Sequence, residues 1–383
     1  MADDQQNKIL KEGVLAWNRW REENPETVPD LKAVDLSRRS LEGVDFKRAR
    51  LENSNLDGSN LSDANLHGAN LAGATLIRSI LRRTGFQSVR LHQVDMTASD
   101  MEESNLFEAQ LHHSRLLGVN LRKSNLTGAE FLFTELSRSN LSETNCYSAL
   151  FDQANLRGAN LRGASLEKAQ FIESNLEEAD LSECKVYNLS AWNLKLPGAI
   201  EKDLVISNGP NPVVILDNLE ISRMISRSLY HSGLQKGVEQ SSSPIVLILG
   251  RFFDSRKKII EGMKEQLRSK HYIPVSLESP VPAPRMKEFL LKLARHSLFI
   301  IADMTGAEDL FRSLVSIAPE LQLPVQIIEE SLSKEPALFQ ESGLYPMILP
   351  VYRYEGRENL LSRFAEKIIS PGELKFKEMK EKM

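Results

Sequence analysis

Three histidines in the first half of the chain have a spacing that could bind a metal ion. His92 and His112 lie 20 residues apart, and His113 follows directly. A metal such as zinc takes three or four ligands, held by a second shell of hydrogen bonds. We find no carboxylate in the sequence that would complete such a set. We therefore predict solvated histidines and no metal site.

A second group of polar residues follows three apolar runs in the C-terminal third. Ligands of open α/β sheets bind at the carboxyl ends of strands, where glycine lets the backbone approach a phosphate and arginine pairs with it. The alternatives to ligand contact are a surface salt bridge for Arg251 and an Asx turn for Asp303. No glycine-rich dinucleotide fingerprint is present. The ligand-binding candidates are Gly250, Arg251, Phe252, Asp303 and Thr305, with Glu278 and Ser279 at the same predicted edge.

Composition narrows the classes of protein to which the chain can belong. It has 383 residues and a net charge of -4, which favours neither a nucleic-acid binder nor an acidic tail. Two cysteines cannot form a disulfide framework. The sequence has neither an apolar signal core at its N-terminus nor a run of about 18 apolar residues. We expect a cytoplasmic protein that does not enter a membrane.

A five-residue period dominates the first half and must position the histidines. Stepping by five from Leu36 to Val186 gives 31 positions, and all of them are apolar. A small residue lies two places before nearly every one. Neither a helix nor a strand keeps such a period on one face. A solenoid keeps such a period, because one large and one small side chain of each pentad can point inward and the small residues allow tight corners. Its coils would lie about 4.8 Å apart.

Both ends of the solenoid can also be interpreted. Leu10, Val14 and Trp17 have helical spacing, and Pro25 ends that run, so we predict a helical cap in which Trp17 and Trp20 cover the first coil. Cys146 and Cys184 occupy inward positions and are interpreted as core residues.

Beyond residue 244, five buried strands alternate with helices, which predicts a parallel sheet with a flavodoxin-like arrangement.

The repeat resembles the pentapeptide-repeat family, A(D/N)LXX, in segments such as ANLHG, ANLRG and ADLSE. The resemblance covers about residues 34–190 and implies a right-handed, four-sided β-helix of close to eight coils. Some members mimic duplex DNA and bind gyrase, which requires a dense negative surface. Residues 34–186 carry 17 basic and 21 acidic side chains, with 9 and 6 of them before residue 94. This lopsided, dilute charge favours end-to-end or subunit contacts over DNA mimicry.

The C-terminal third resembles a Toll/interleukin-receptor-like (TIR-like) domain of the kind found behind bacterial pentapeptide repeats. The resemblance is carried by LILGRFFDSRKKIIEGMKEQLRSKHYIPV, LARHSLFIIADMT and PELQLPVQII. It implies an enzyme that cleaves NAD with a glutamate on the helix after the third strand. In this chain the corresponding position is Ser313. Glu308 and Asp309 lie on the same predicted helix, and Asp309 is one turn away, so either could substitute.

These patterns predict five segments: a helical cap over residues 1–33, the β-helix over 34–190, a bridge and linker over 191–243, the TIR-like domain over 244–372 and a charged tail over 373–383. The favoured hypothesis is an interaction or assembly protein in bacterial immune-like (antiphage) signalling, which binds itself or another protein and has a degenerate TIR-like domain. The alternatives are an active NAD-cleaving effector, with NAD as substrate or ligand, and a gyrase-binding DNA mimic.

Overall fold

The computed structural model describes residues 3–209, 211–230, 244–250, 254–278, 285–331 and 345–381. The chain divides into two compact units, Met1–Lys202 and Asp203–Met383. Among the described residues, no helix is long and apolar enough to cross a membrane.

Two helices cover the start of the first unit. Helix α1 spans Asp4–Glu12 and helix α2 spans Val14–Glu23, and Gly13 separates them with a left-handed φ of 119°. Trp17 is fully buried, donates its Nε1–H to the carbonyl of Asp45 over 2.8 Å and packs edge-on against Phe46. Trp20 packs on Trp17 but is only half-buried. The predicted cap therefore exists as two helices, with Trp17 as its buried anchor.

The rest of the first unit is a β-helix with a 20-residue coil. Isolated parallel bridges join one residue of each pentad to the residue 20 positions later, from Asp30–Arg50 to Asp180–Ile200. In one typical pentad, the Asn65 amide donates to Val44 at 2.9 Å and the Leu66 amide donates to Gly85 at 2.7 Å. The two short strands β1, Gln170–Ile172, and β2, Ser190–Trp192, keep the same register. Each coil thus contains four pentads, as the family resemblance implied.

The inward columns match the predicted register. Leu66 is completely buried and Ala64 is 2 % exposed, so one large and one small side chain point inward from each pentad. Phe131, Phe151 and Phe171 stack through three successive coils with ring centroids 4.9 and 4.7 Å apart. This continuous column provides the apolar burial that the isolated coils lack.

The corners contain a backbone conformation that the sequence analysis did not predict. The small residues of the pentads lie inside, as expected. Each corner is a turn closed by a hydrogen bond such as Ala69 N–H to Leu66 O, 2.9 Å, and its third residue has a left-handed φ. Gly68 fills this position in one pentad (φ 66°), but Arg78 (φ 55°) and Phe133 (φ 57°) fill it in others. Such side chains are directed outward, where they create the surface of the coil.

The second unit is built from a mixed sheet and helices. Its elements are β3 Leu204–Ile206, β4 Val213–Leu216, α3 Leu219–Tyr230, β5 Ile245–Leu249, α4 Asp254–Ser269, β6 Ile273–Glu278, α5 Met286–Ala294, β7 Phe299–Asp303, α6 Glu308–Ile317, β8 Val325–Glu330, β9 Ile348–Tyr354, α7 Gly356–Ser362 and α8 Ser370–Glu381. The strands pair in the order β3-β4-β6-β5-β7-β8-β9. A 3₁₀ turn, Ala318–Glu320, follows α6, and a π-helical turn, Ala365–Ile369, precedes α8.

The prediction of a five-stranded, wholly parallel sheet is wrong for the sheet as a whole. The five predicted strands, β5 to β9, do pair in parallel. Two further strands, β3 and β4, extend the sheet beside β6, and both of their pairings are antiparallel. They were missed because they are only three and four residues long and lie in the segment that we interpreted as a bridge.

The core that supports the carboxyl edge of the sheet lies between β5, β7 and the helices α4 and α7. Val246 and Ile248 of β5 join Ile260 and Met263 of α4 and Leu360 of α7 in one buried cluster. The helix α8 also packs against the sheet, because a Cβ built on Gly372 would lie 3.0 Å from the Phe299 ring. The carboxyl ends of the strands are therefore held on a rigid support.

Candidate functional site

The structure brings several of the predicted site residues together at the carboxyl edge of the sheet. Gly250 follows β5 and Asp303 ends β7, and a Cβ on Gly250 would lie 3.4 Å from the Asp303 Cβ. The Thr305 amide donates to Asp303 Oδ1 over 3.1 Å, so the Asx turn expected as an alternative for Asp303 is present. Arg251 and Phe252, and Ser279 beyond β6, lie outside the described residues.

The centre of this edge is a side chain that sequence reasoning missed, Arg256 of helix α4. It is 7 % exposed and forms ion pairs with Asp303 and with Glu330, the latter at 2.6 Å. It also donates to the Tyr354 hydroxyl and, over 3.3 Å, to Thr305 Oγ1. Thr305 Oγ1 in turn accepts from the Glu330 amide at 3.0 Å. The guanidinium of Arg256 thus contacts the last residue of each of the strands β7, β8 and β9.

Electrostatics stabilise this network in its charged form. Burial lowers the pKa of Arg256, but the charge and hydrogen bond of Asp303 outweigh burial, so the pKa lies above its ordinary value. Burial, together with the Asp303 charge, raises the pKa of Tyr354 to about 12. At neutral pH the guanidinium of Arg256 is therefore charged and the phenol of Tyr354 is neutral. Asp303 and Thr305 contact Arg256 inside the protein, and the ligand contact suggested for them by the sequence stays a prediction.

The residues proposed for NAD cleavage lie on one helix. Glu308, Asp309 and Ser313 all belong to α6, and Ser313 is half-buried there. The side chains of Glu308 and Asp309 lie outside what the structure describes. Glu278 ends β6, where burial raises the pKa of its carboxyl although Lys264 and Lys257 lower it.

His92, His112 and His113 lie on one face of the β-helix, as the 20-residue spacing predicts. The His92 and His112 rings meet edge-on at 4.8 Å, and the His113 ring stacks on Phe133 at the same distance. Glu130 supplies a carboxylate 2.5 Å from His112 Nε2, a contact that the sequence analysis did not find. Among the described residues, no group of three or more His, Cys, Asp or Glu side chains is placed to hold a metal ion.

Apolar side chains recur on this histidine face toward the end of the β-helix, with Asp152 and Glu173 among them. Phe133 is 48 % exposed and Trp192 is 70 % exposed, and half-buried aliphatic side chains lie in the coils between them. We call this surface the histidine-aromatic face. Its members are His92, His112, His113, Leu132, Phe133, Leu150, Ile172 and Trp192.

The opposite side of the coil, two pentads away, has a different character. Arg82 contacts Asp100 at 2.6 Å, and Arg122 lies between Glu102 and Glu143 at 3.1 and 2.7 Å. We call this surface the ion-pair face. Its members are Asp63, Arg82, Arg83, Asp100, Glu102, Arg122, Glu143, Arg162 and Glu183. Its charges are largely neutralised within the chain.

Both cysteines lie inside the β-helix. Cys146 and Cys184 are free thiols and completely buried. Burial raises the pKa of Cys146 to about 12 and raises that of Cys184 as well. Because the thiolate is the reactive form, these residues act as core side chains, as predicted.

Part of the chain is similar in sequence to solved pentapeptide-repeat structures. HetL, a pentapeptide repeat protein involved in heterocyst differentiation regulation in a Nostoc cyanobacterium, is 21% identical; the match covers 50% of this chain and 96% of HetL, with a TM-score of 0.30. QnrB1, a plasmid-mediated fluoroquinolone resistance protein, is 16% identical over 44% of this chain and 90% of its own, with a TM-score of 0.37. No curated protein matches the chain. The family model for pentapeptide repeats matches residues 30–68, 59–98, 104–142 and 144–185, so these ranges of the chain carry pentapeptide repeats.

Proposed function

We propose that this chain is an interaction and assembly protein, with the β-helix as the scaffold that binds a partner through the histidine-aromatic face. Pentapeptide repeats suggest protein interaction in general, and the contrast between the two faces supports a specific surface. Singly exposed apolar side chains are normal, whereas several on one face mark a candidate contact site. Phe133 and Trp192 are the most exposed members of this face.

We propose further that the second unit is a TIR-like domain that the scaffold brings together with its partners, in bacterial immune-like signalling against phage in the cytoplasm. The support is the resemblance of its sequence to TIR-like domains. Asp303 and Thr305 both contact the buried Arg256. This arrangement favours a domain used for binding over one that uses these side chains on a substrate.

Photo-crosslinking in the source cells tests the proposed interaction. A benzophenone amino acid replaces Phe133 in one strain and Lys123 in the control strain. Both residues are exposed and occupy the left-handed position of a turn, but Lys123 lies on the side of the ion-pair face. We expect a protein adduct from position 133 and none from position 123. Equal yields at both positions, or no adduct at either, would contradict the proposal.

A further inference from the structure

A gap in a ladder of side-chain hydrogen bonds creates a groove on the β-helix, between the ion-pair face and the histidine-aromatic face. The Asn65 side-chain amide donates to Asp45 Oδ1 over 2.8 Å. Further along the same column, the Asn125 amide donates to Asn105 Oδ1 over 3.1 Å. Gly85 lies in this column between Asn65 and Asn105 and has no side chain to continue the ladder. The column is therefore open over one coil.

Side chains of the neighbouring pentads line the groove. Gln87 turns into the gap, because a Cβ built on Gly85 would lie 2.9 Å from Gln87 Oε1. Phe107 is 39 % exposed at one end of the groove. Lys47 lies at the other end, where its carbonyl accepts from Arg21 Nη2 of the helical cap over 3.2 Å. The groove has a volume of about 450 Å³, within the range of ligand pockets. Its lining residues are Lys47, Asn65, His67, Gln87, Ser88 and Phe107.

Positive charge and unpaired polar groups lie along this groove. Lys47 and the neighbouring Arg48 are exposed, and neither side chain forms an ion pair within the part of the chain that the structure describes. The side chains of His67, Gln87 and Ser88 make no hydrogen bond to another described residue. The groove thus offers cations at one end and unpaired hydrogen-bonding groups along its middle.

The acidic residues beside the groove are engaged elsewhere or directed away from it. Asp45 contacts Arg21 at 3.4 Å, and Asp63 is paired within the ion-pair face. Glu108 extends over the following coil, because a Cβ built on Gly128 would lie 3.4 Å from Glu108 Cγ. The charge of the groove therefore favours an anion.

We infer that this groove binds a nucleoside diphosphate, with the base on Phe107 and the phosphates at the cationic end. Phe107 lies two coils from His67 and three coils from Lys47, about 10 and 14 Å at 4.8 Å per coil. Inorganic phosphate and benzoate are too short to reach both ends. Bases stack on exposed aromatic rings, and lysine binds phosphate as a point charge.

The middle of the groove distinguishes a nucleotide from other long anions. Gln87 and Ser88 present an amide and a hydroxyl at the level where the ribose hydroxyls would lie. An anion with an alkyl chain at this level would leave both groups without a partner. The site lies apart from the histidine-aromatic face and does not depend on the partner proposed for that face.

Saturation-transfer difference NMR of the purified full chain with ADP tests the site, because it detects weak binding and shows which ligand protons contact the protein. Since the groove is open to solvent, we expect a Kd of about 0.1–1 mM, too weak to survive purification. The base protons should give the strongest signals, and adenosine should bind at least about tenfold more weakly. No binding of ADP at millimolar concentration, or equal binding of ADP and adenosine, would overturn the inference.

Gly85→Asn closes the groove with a residue that the same column holds in other coils. The backbone of Gly85 is not left-handed, and the close atom is the flexible end of Gln87, so the fold should be retained. We expect at least about a tenfold loss of ADP affinity. Ser165→Asn, the matched control four coils later in the column, should bind ADP as the wild type does. Binding that Gly85→Asn leaves unchanged would place ADP elsewhere on the chain and refute the inference.

Exposed side chains test the two ends of the groove separately. Phe107→Ala should weaken ADP and adenosine alike, whereas Lys47→Gln should weaken ADP and leave adenosine unchanged. Lys123→Gln, the matched control on the side of the ion-pair face, should change neither ligand. If Phe107→Ala and Lys47→Gln both bound ADP like the wild type, the inference would be wrong even if Gly85→Asn failed to fold.

Discussion

Placing a charge in the inward leucine column should unfold the β-helix, and Leu66→Asp tests this most clearly. Leu66 is completely buried, and its column neighbours 20 residues away are the buried rings of Phe46 and Phe86. The amide of Leu66 already donates to Gly85 O, and its carbonyl accepts from Ala69. An aspartate at this position therefore has apolar neighbours above and below and no free backbone donor of its own.

The expected cost is large compared with the stability of a domain. Removing the leucine side chain alone costs about 3–5 kcal/mol, and burying an unpaired carboxylate adds several more. A folded domain is stable by only about 5–15 kcal/mol. His67→Asp is the matched control, because His67 is the next residue and is exposed at the turn. Its effect should stay within about 0.5 kcal/mol.

Urea unfolding followed by far-UV circular dichroism measures both variants. We expect Leu66→Asp to be insoluble or to unfold at a much lower urea concentration than the wild type, and His67→Asp to match the wild type. If the two variants unfolded at the same midpoint, the assignment of Leu66 to the core column would be refuted.

Three further predictions concern single sites. Asp303→Asn removes a carboxylate from the buried guanidinium of Arg256 and should lower the free energy of unfolding, measured by chemical denaturation, by about 3 kcal/mol. Glu288→Gln, in an exposed ion pair, should lower it by less than about 1 kcal/mol. Equal losses for the two variants would contradict a buried charge network. The pKa of Cys146 is raised by burial to about 12, above the value of about 8.5 expected when unfolded, so stability present at neutral pH should fall as pH rises above about 8.5. At pH 9 the folded thiol should resist alkylation, and rapid labelling without unfolding would refute its burial. Purified protein should release no nicotinamide from NAD above background, because the glutamate expected at position 313 is missing and losing such an electrostatic group costs about 100- to 1000-fold in rate. Ser313→Glu is the change expected to restore cleavage. Robust cleavage by the wild type would favour the enzyme alternative.

The first unit was largely predictable because its packing is local. Each large apolar residue repeats after five positions, so the register could be read from Leu56, Leu61 and Leu66 without knowledge of the fold. The corners were not predictable from composition, because their left-handed positions hold residues such as Arg78 and Phe133 as well as glycine. Hydrogen bonds between coils hold this conformation regardless of the side chain.

The second unit was less predictable because its key contacts join distant parts of the chain. Arg256 meets Asp303, Glu330 and Tyr354, which lie 47, 74 and 98 residues away. The rule that functional groups lie at strand ends would have found Glu330 and Tyr354, which are the last residues of β8 and β9. Nothing in the local sequence distinguishes Arg256 from its basic neighbours on α4.

The central claim, that one face of the β-helix is the contact surface, is tested most directly by hydroxyl-radical footprinting of the full chain, once as the dilute purified chain and once as the complex isolated from its source cells. The side chains to compare are Phe133 and Trp192 on the histidine-aromatic face and Phe107 and Ile80 on other sides of the coil, all exposed in the single chain. Our account predicts that Phe133 and Trp192 are protected from oxidation in the complex, whereas Phe107 and Ile80 are oxidised equally in both samples. Protection of Phe107 or Ile80, with Phe133 and Trp192 oxidised equally in both samples, would contradict it.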